Sequence, residues 1–157
     1  MVQAVAAIDF ANKIGKKLNF HVNAGRIEMK GDAVINNLRG MFEHLSDSGH
    51  QLVNHQWTPR EQFLELCASM DIGLQVSFSE TFNIVGADLI SQGVPLVGSK
   101  EIPWSSNLYN ADPTDSKDIA AKLECAYYHP RINVWVNQRL LTKYTNNTRK
   151  IWTKYFL

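Results

Sequence analysis

The alternation of short β-rich runs with longer helical patterns constrains this chain more than any other feature. LNFHVN (18–23), QLVNHQ (51–56), DIGLQVSF (71–78) and VPLVGS (94–99) read as strands. Helical spacing fills the intervals. Residues 2–17 set Val5, Ile8 and Ile14 among alanines, and 31–49 place Val34, Leu38, Met41, Phe42 and Leu45 on one stripe. A further helix starts at Thr58-Pro59, with Thr58 as N-cap and Pro59 at the first position, and carries Phe63, Leu64, Leu66 and Met70. Another begins near Phe82 or Asn83 and ends at Gly93. Residues 116–128 follow a turn, and 131–157 form a C-terminal amphipathic helix with Leu140, Leu141, Tyr144, Thr148, Ile151, Trp152 and Tyr155 on one face. Strands alternating with helices predict an α/β fold with a parallel sheet covered by helices on both faces. In such sheets ligands bind beyond the carboxyl ends of the strands.

The 157 residues make one domain, residues 1–157, long enough to bury a core. No apolar run approaches about 18 residues, so no transmembrane segment is expected. The first residues have neither the basic start nor the cleavage site of a signal peptide, which predicts a cytoplasmic protein. A net charge of +1 with no block of like charges removes the electrostatic case for nucleic acid. Cys67 and Cys125 are expected to be reduced packing residues. The sequon at Asn146-Asn147-Thr148 is expected to be idle. The histidines have no metal-ligand spacing, so no metal site is expected.

Two acidic residues interrupt this pattern. Glu80 lies just past the strand DIGLQVSF, where side chains face the ligand crevice, and Asp88 sits inside the apolar helix that follows. The first N–H groups of that helix are unpaired and carry partial positive charge, which favours a phosphate. The loop SFSETFN thus sets a carboxylate able to accept sugar hydroxyls beside amides able to hold a diphosphate. Asp88, about a turn and a half in, is placed to accept from ribose hydroxyls, and the small Gly86 and Ala87 permit close approach. Residue chemistry alone leaves a second account open. Glu80 then only compensates the helix dipole, worth about 0.3–1 kcal/mol, and Asp88 faces solvent between buried neighbours.

Acid, seven intervening residues, acid, then G-x-P and an extended run resembles the signature of retaining glycosyltransferases of the GT-B fold, above all glycosyltransferase family four ("group 1"). MDIGLQVSFSETF, LVNHQWTPREQFLELCASM and GVPLVGSKEIPW resemble the family's consecutive strands, helices and loops, over roughly residues 2–125. The resemblance implies the C-terminal, Rossmann-like donor-binding half of such an enzyme. Glu80 would contact the donor sugar; the amides of Thr81, Phe82, Asn83 and Ile84 would lie near the diphosphate; Asp88 would bind the ribose. His55, Gln56 and Trp57 match the loop beside the base, although Trp57 also reads as a packed aromatic near a helix start.

The implied donor is a nucleoside diphosphate sugar, a UDP- or GDP-sugar, with no metal cofactor required. The implied partner is an N-terminal acceptor-binding domain or subunit, without which this chain would have little activity. The exposed aromatics of the last helix (Trp135, Trp152, Tyr155, Phe156) suit contact with that domain or packing on this one. Three departures stand out. Asp88 replaces the usual glutamate, and His21-Val22-Asn23-Ala24-Gly25 replaces a Gly-rich turn. The strand expected before residue 2, with its Arg and Lys, has no counterpart. The neighbours of that strand must pair directly or leave a gap, and the chain is expected to be a fragment of a longer reading frame. The alternative class is a non-catalytic nucleotide-binding or flavodoxin-like interaction domain working with a separate subunit.

Overall fold

Four extended runs become strands in the computed structural model, which describes residues 1–24 and 31–156, the last without its side chain. In chain order they are α1 (Val2–Lys13), β1 (Asn19–Asn23), α2 (Asp32–His44), a 3-10 turn (Ser46–Ser48), β2 (Gln51–His55), α3 (Arg60–Ala68), β3 (Gly73–Gln75), α4 (Ile84–Ser91), β4 (Leu96–Gly98), α5 (Ser116–Tyr128) and α6 (Pro130–Phe156). The molecule is α/β, as its alternating pattern requires. Gly25 and Leu157 lie outside the described residues.

Local chemistry sets the element ends. Asp115 caps α5 by accepting from the Lys117 and Asp118 amides. Gly93, at φ +80°, takes the left-handed turn that stops α4. One expectation fails at α3. Pro59 is extended, with ψ 154°, and helical geometry starts only at Arg60 with no side-chain cap, so Thr58 is not the N-cap. Thr58, as the residue before a proline, is itself biased away from helical geometry.

Among the described residues the strands form two separate parallel pairs, β1–β2 and β3–β4, with no hydrogen bonds between the pairs. The single sheet expected from the sequence is therefore interrupted, and β1 and β3 do not pair. Both sides of β4 are buried. Leu96 packs with Cys67, Leu89, Ile90 and Trp104, while Val97 packs with α1 and α5 through Ala6, Phe10, Ile119 and Leu123. The β1–β2 pair buries one face, where Phe20, Val22 and Leu52 meet Ile8, Leu38 and Phe42. Helix α1 contributes to both of the clusters that flank the interruption.

Side-chain amides stand in for strand neighbours at two edges. Asn133, on α6, accepts from the Leu96 N–H at 2.8 Å and donates to the Leu96 C=O at 2.9 Å. Gln3, on α1, donates to the Val76 C=O at 2.8 Å and accepts from its N–H at 3.4 Å. Each makes the bond pair that an adjacent strand would make.

Two other expectations need correction. Cys67 is buried, but Cys125 is exposed and does not pack; both are free thiols. Of the stripe expected on α6, Leu141 and Tyr144 pack on the core, whereas Ile151, Trp152 and Tyr155 are exposed, as is Trp135. The buried residues on that helix are Asn133 and Asn137. No helix among the described residues is long and apolar enough to cross a membrane.

Candidate functional site

The stretch between β3 and α4 is held by its own side chains. Asn83 sits at φ +61°, a left-handed conformation that asparagine tolerates, and its side-chain oxygen accepts from the Gly86 N–H at 2.6 Å to cap α4. Its amide nitrogen donates to Glu80 Oε2 at 3.0 Å and to Gln75 Oε1 at 3.3 Å. Glu80 Oε1 accepts from the Thr81 N–H at 2.9 Å. Glu80 thus stands half-exposed past the end of β3, both oxygens anchored. A carboxylate has about four lone-pair sites, so each oxygen retains capacity to accept from a ligand hydroxyl.

Deeper contacts fix the loop to the core. The indole N–H of buried Trp104 donates to the Phe82 carbonyl at 2.5 Å, and Phe82 packs against Trp104 and Tyr144. Gly86 serves this packing. A Cβ there would lie 2.7 Å from Asn83 Oδ1 and 3.2 Å from Leu96. Its small size fits the cap rather than a ligand. The Ser77 hydroxyl, just past β3, is buried and has no hydrogen-bond partner among the described residues.

Asp88 is buried, which overturns the solvent-facing account of it. Its two oxygens accept from Arg60 Nη1 at 2.5 Å and Nη2 at 2.6 Å, a bidentate pair between α4 and the first turn of α3. The Arg60 side chain is 60% exposed against 7% for that of Asp88, so the guanidinium reaches outward from a buried anchor. Hydrogen bonding to Asp88, then its charge, raises the Arg60 pKa above the ordinary value. Sequence reasoning missed Arg60, since nothing local marks a partner 28 residues away.

The expected base-proximal loop is partly open. Trp57 is 83% exposed, so it is not a packed aromatic, and Gln56 is exposed as well. His55 is engaged with His21 across the β1–β2 pair, with rings stacked at 5.0 Å and Nδ1 of His21 2.8 Å from Nε2 of His55. One nitrogen must donate and the other accept, so the bond requires one neutral ring. Burial, and then the His55 charge, lower the His21 pKa from its ordinary 6.5.

Folding therefore favours neutral His21. Its contribution to stability is full above pH 6.5 and is lost as the pH falls through the lowered folded value. Thermal unfolding between about pH 7.5 and 5 is expected to show a falling midpoint, and His21→Gln to flatten that slope. An unchanged slope in His21→Gln would remove the pair from this account.

Glu80 and Asn83 are thus brought together by direct bonds, with Thr81 and Phe82 in the same loop and Ile84 opening α4. Asp88 is tied instead to Arg60, and His55 to His21. Of the four amides expected at a diphosphate, that of Thr81 is taken by Glu80. A surface cleft of about 260 Å³ lies elsewhere, with Gly93, Arg131 and Trp135 in its lining. Among the described residues no group of three or more His, Cys, Asp or Glu is placed to hold a metal ion. The chain matches no protein-family model, and no curated protein matches it significantly.

Proposed function

We propose that this chain is the donor-binding half of a retaining GT-B glycosyltransferase, with a Rossmann-like fold interrupted between β1 and β3. The observation that carries the reading is the Glu80–Asn83 pair. It holds a carboxylate with accepting capacity beside the N-terminus of α4, past the end of β3. Glu80 accepts from hydroxyls of the donor sugar, and the amides of Phe82, Asn83 and Ile84 face its diphosphate. Electrostatic stabilisation of the leaving diphosphate is the main physical task of such a site. We assign Arg60 to the same anion through its outward N–H groups, its charge being offset by Asp88. Its two terminal nitrogens hold Asp88, and the remaining guanidinium donors are left for an anion. Asp88 is buried with one Arg60 bond on each oxygen, so it acts chiefly by positioning that guanidinium, and its remaining lone pairs accept from a ribose hydroxyl. His55, Gln56 and Trp57 flank the base. The acceptor binds a separate domain or subunit, and this chain alone has little transferase activity.

The bidentate capture of Asp88 favours one competing reading, a non-catalytic interaction domain in which the acid is structural. Calorimetric titration with UDP, GDP, ADP and the matching nucleotide sugars separates the two. On the donor reading one nucleotide binds, and Glu80→Gln weakens the nucleotide sugar about ten-fold, near 1.4 kcal/mol, while leaving the bare nucleotide unchanged. Arg60→Met weakens both. A folded chain that gives no binding heat with any of them points to the interaction domain and sinks the donor reading.

A further inference from the structure

We propose that the interruption between β1 and β3 is a docking slot for an extended strand with one apolar face, contributed by a partner polypeptide. Backbone geometry defines this slot independently of the donor reading. In a parallel ladder the peptide groups of alternate residues point to opposite sides. The Gly73 N–H bonds the Pro95 carbonyl, so Gly73 and Gln75 face β4, while Leu74 and Val76 face away from it. The Gln51 N–H bonds the Leu18 carbonyl, so Leu18, Phe20 and Val22 face β2, while Asn19, His21 and Asn23 face away from it.

These two edges border the same core. Leu18 and Phe20 pack on the cluster that contains Val76 and Val97, with Leu74 beside them, whereas Leu52 on β2 does not. β1 is therefore the strand of its pair nearer to β3. Helix α1, which joins both clusters, presents Ala4, Ala6, Ala7 and Ala11 as its small buried residues. The order of burial is also inverted. All of β4 is buried, while Leu74 and Gln75 in β3 and Phe20, His21 and Val22 in β1 are only half-buried. A strand between neighbours, covered on both faces, should be the more buried one.

The outer edge of β4 is fully closed. Leu96 is held by Asn133, and Gly98 exchanges bonds with Tyr109 and Ala111. On the inner edge of β3, Gln3 already imitates one rung of a strand at Val76. The Leu74 peptide groups, one rung below, meet no such partner among the described residues. An extended backbone is the ligand whose donors and acceptors match both edges at once. β-Branched side chains suit its inner face, beside Phe20, Val22, Leu74 and Val76, whereas its other face borders Asn19, His21 and Gln75.

The test is amide hydrogen exchange of the ¹⁵N-labelled chain with the synthetic peptide Lys-Val-Thr-Ile-Thr-Val-Lys, apolar on one face. A control peptide carries proline at its centre, which removes a donor and breaks the ladder. The first peptide should slow exchange at Asn19, His21 and Leu74 about ten-fold or more, and the control should not. Protection confined to Leu52 and Asn54, on the outer edge of β2, overturns the proposal. So does no protection, or equal protection by both peptides. Protection of the same amides without peptide, growing with chain concentration, overturns it in favour of a second copy of this chain.

Discussion

Trp104→Ala is expected to destabilise the fold by about 3–5 kcal/mol, the usual range for removing a fully buried large aromatic. Trp104 is 2% exposed and packs in the cluster of Cys67, Leu89, Ile90 and Leu96 that lies beneath α3, α4 and α6. Two separate losses contribute. The core loses the indole, and the Phe82 carbonyl loses its donor. Urea unfolding of Trp104→Ala beside Trp104→Phe divides them. The phenylalanine variant keeps most of the apolar volume and is expected to cost about 1–3 kcal/mol, the range for an unpaired buried polar group. Because the bond to Phe82 fixes the loop that carries Glu80, both variants should also weaken any nucleotide-sugar binding. A loss below about 1 kcal/mol in Trp104→Ala would mean that the cluster closes over the cavity, and the anchoring role would fall.

Asn133→Leu is the second large effect. The two side chains share one branched skeleton, so the main change is loss of the amide's hydrogen bonds, with some overpacking from leucine's larger methyl groups. Asn133 is 0% exposed and bonds both peptide groups of Leu96, which lies 37 residues away on a strand that is buried throughout. Leucine leaves the Leu96 N–H and C=O unpaired where water does not reach. Two such groups at about 1–3 kcal/mol each predict a total near 2–6 kcal/mol. Asn137, which donates to Asn133 Oδ1, also loses a partner. The measurement is the urea midpoint at constant slope, which reports stability rather than a change in compactness. A neutral or stabilised Asn133→Leu would show that apolar packing replaces the amide at no cost, and the edge-closing role would be withdrawn.

Much of the element order was legible because helices and strands leave local periodic traces. The stop of α4 at Gly93 follows from a conformation that glycine enters without a Cβ penalty. The position of Glu80 past the end of β3 follows from the strand pattern alone. The site was less legible where partners are distant in sequence. Asp88 read as a ribose ligand or a solvent-facing residue because its charge was visible and its partner, Arg60 at the start of another helix, was not. His21 and His55 carried no recognisable spacing, and only the register of β1 against β2 stacks them.

On α6 the sequence indicated an apolar stripe, and its outer third is exposed. Its buried residues are asparagines, which a hydrophobic pattern counts as surface; Asn133 holds β4, and Asn137 accepts from the Ser106 N–H in the loop beyond it. A buried amide can be recognised only when the backbone edge that it satisfies is known. The sequence by itself determined the α/β class, the order of the elements and the loop that carries Glu80, because short-range periodicity and turn chemistry act over a few residues. Tertiary structure alone decided that the sheet is split, that Asp88 is held by Arg60, and that Gln3 and Asn133 replace strand neighbours. Those outcomes depend on hydrogen-bonding groups 28 to 73 residues apart finding one another, and no local pattern records such a meeting.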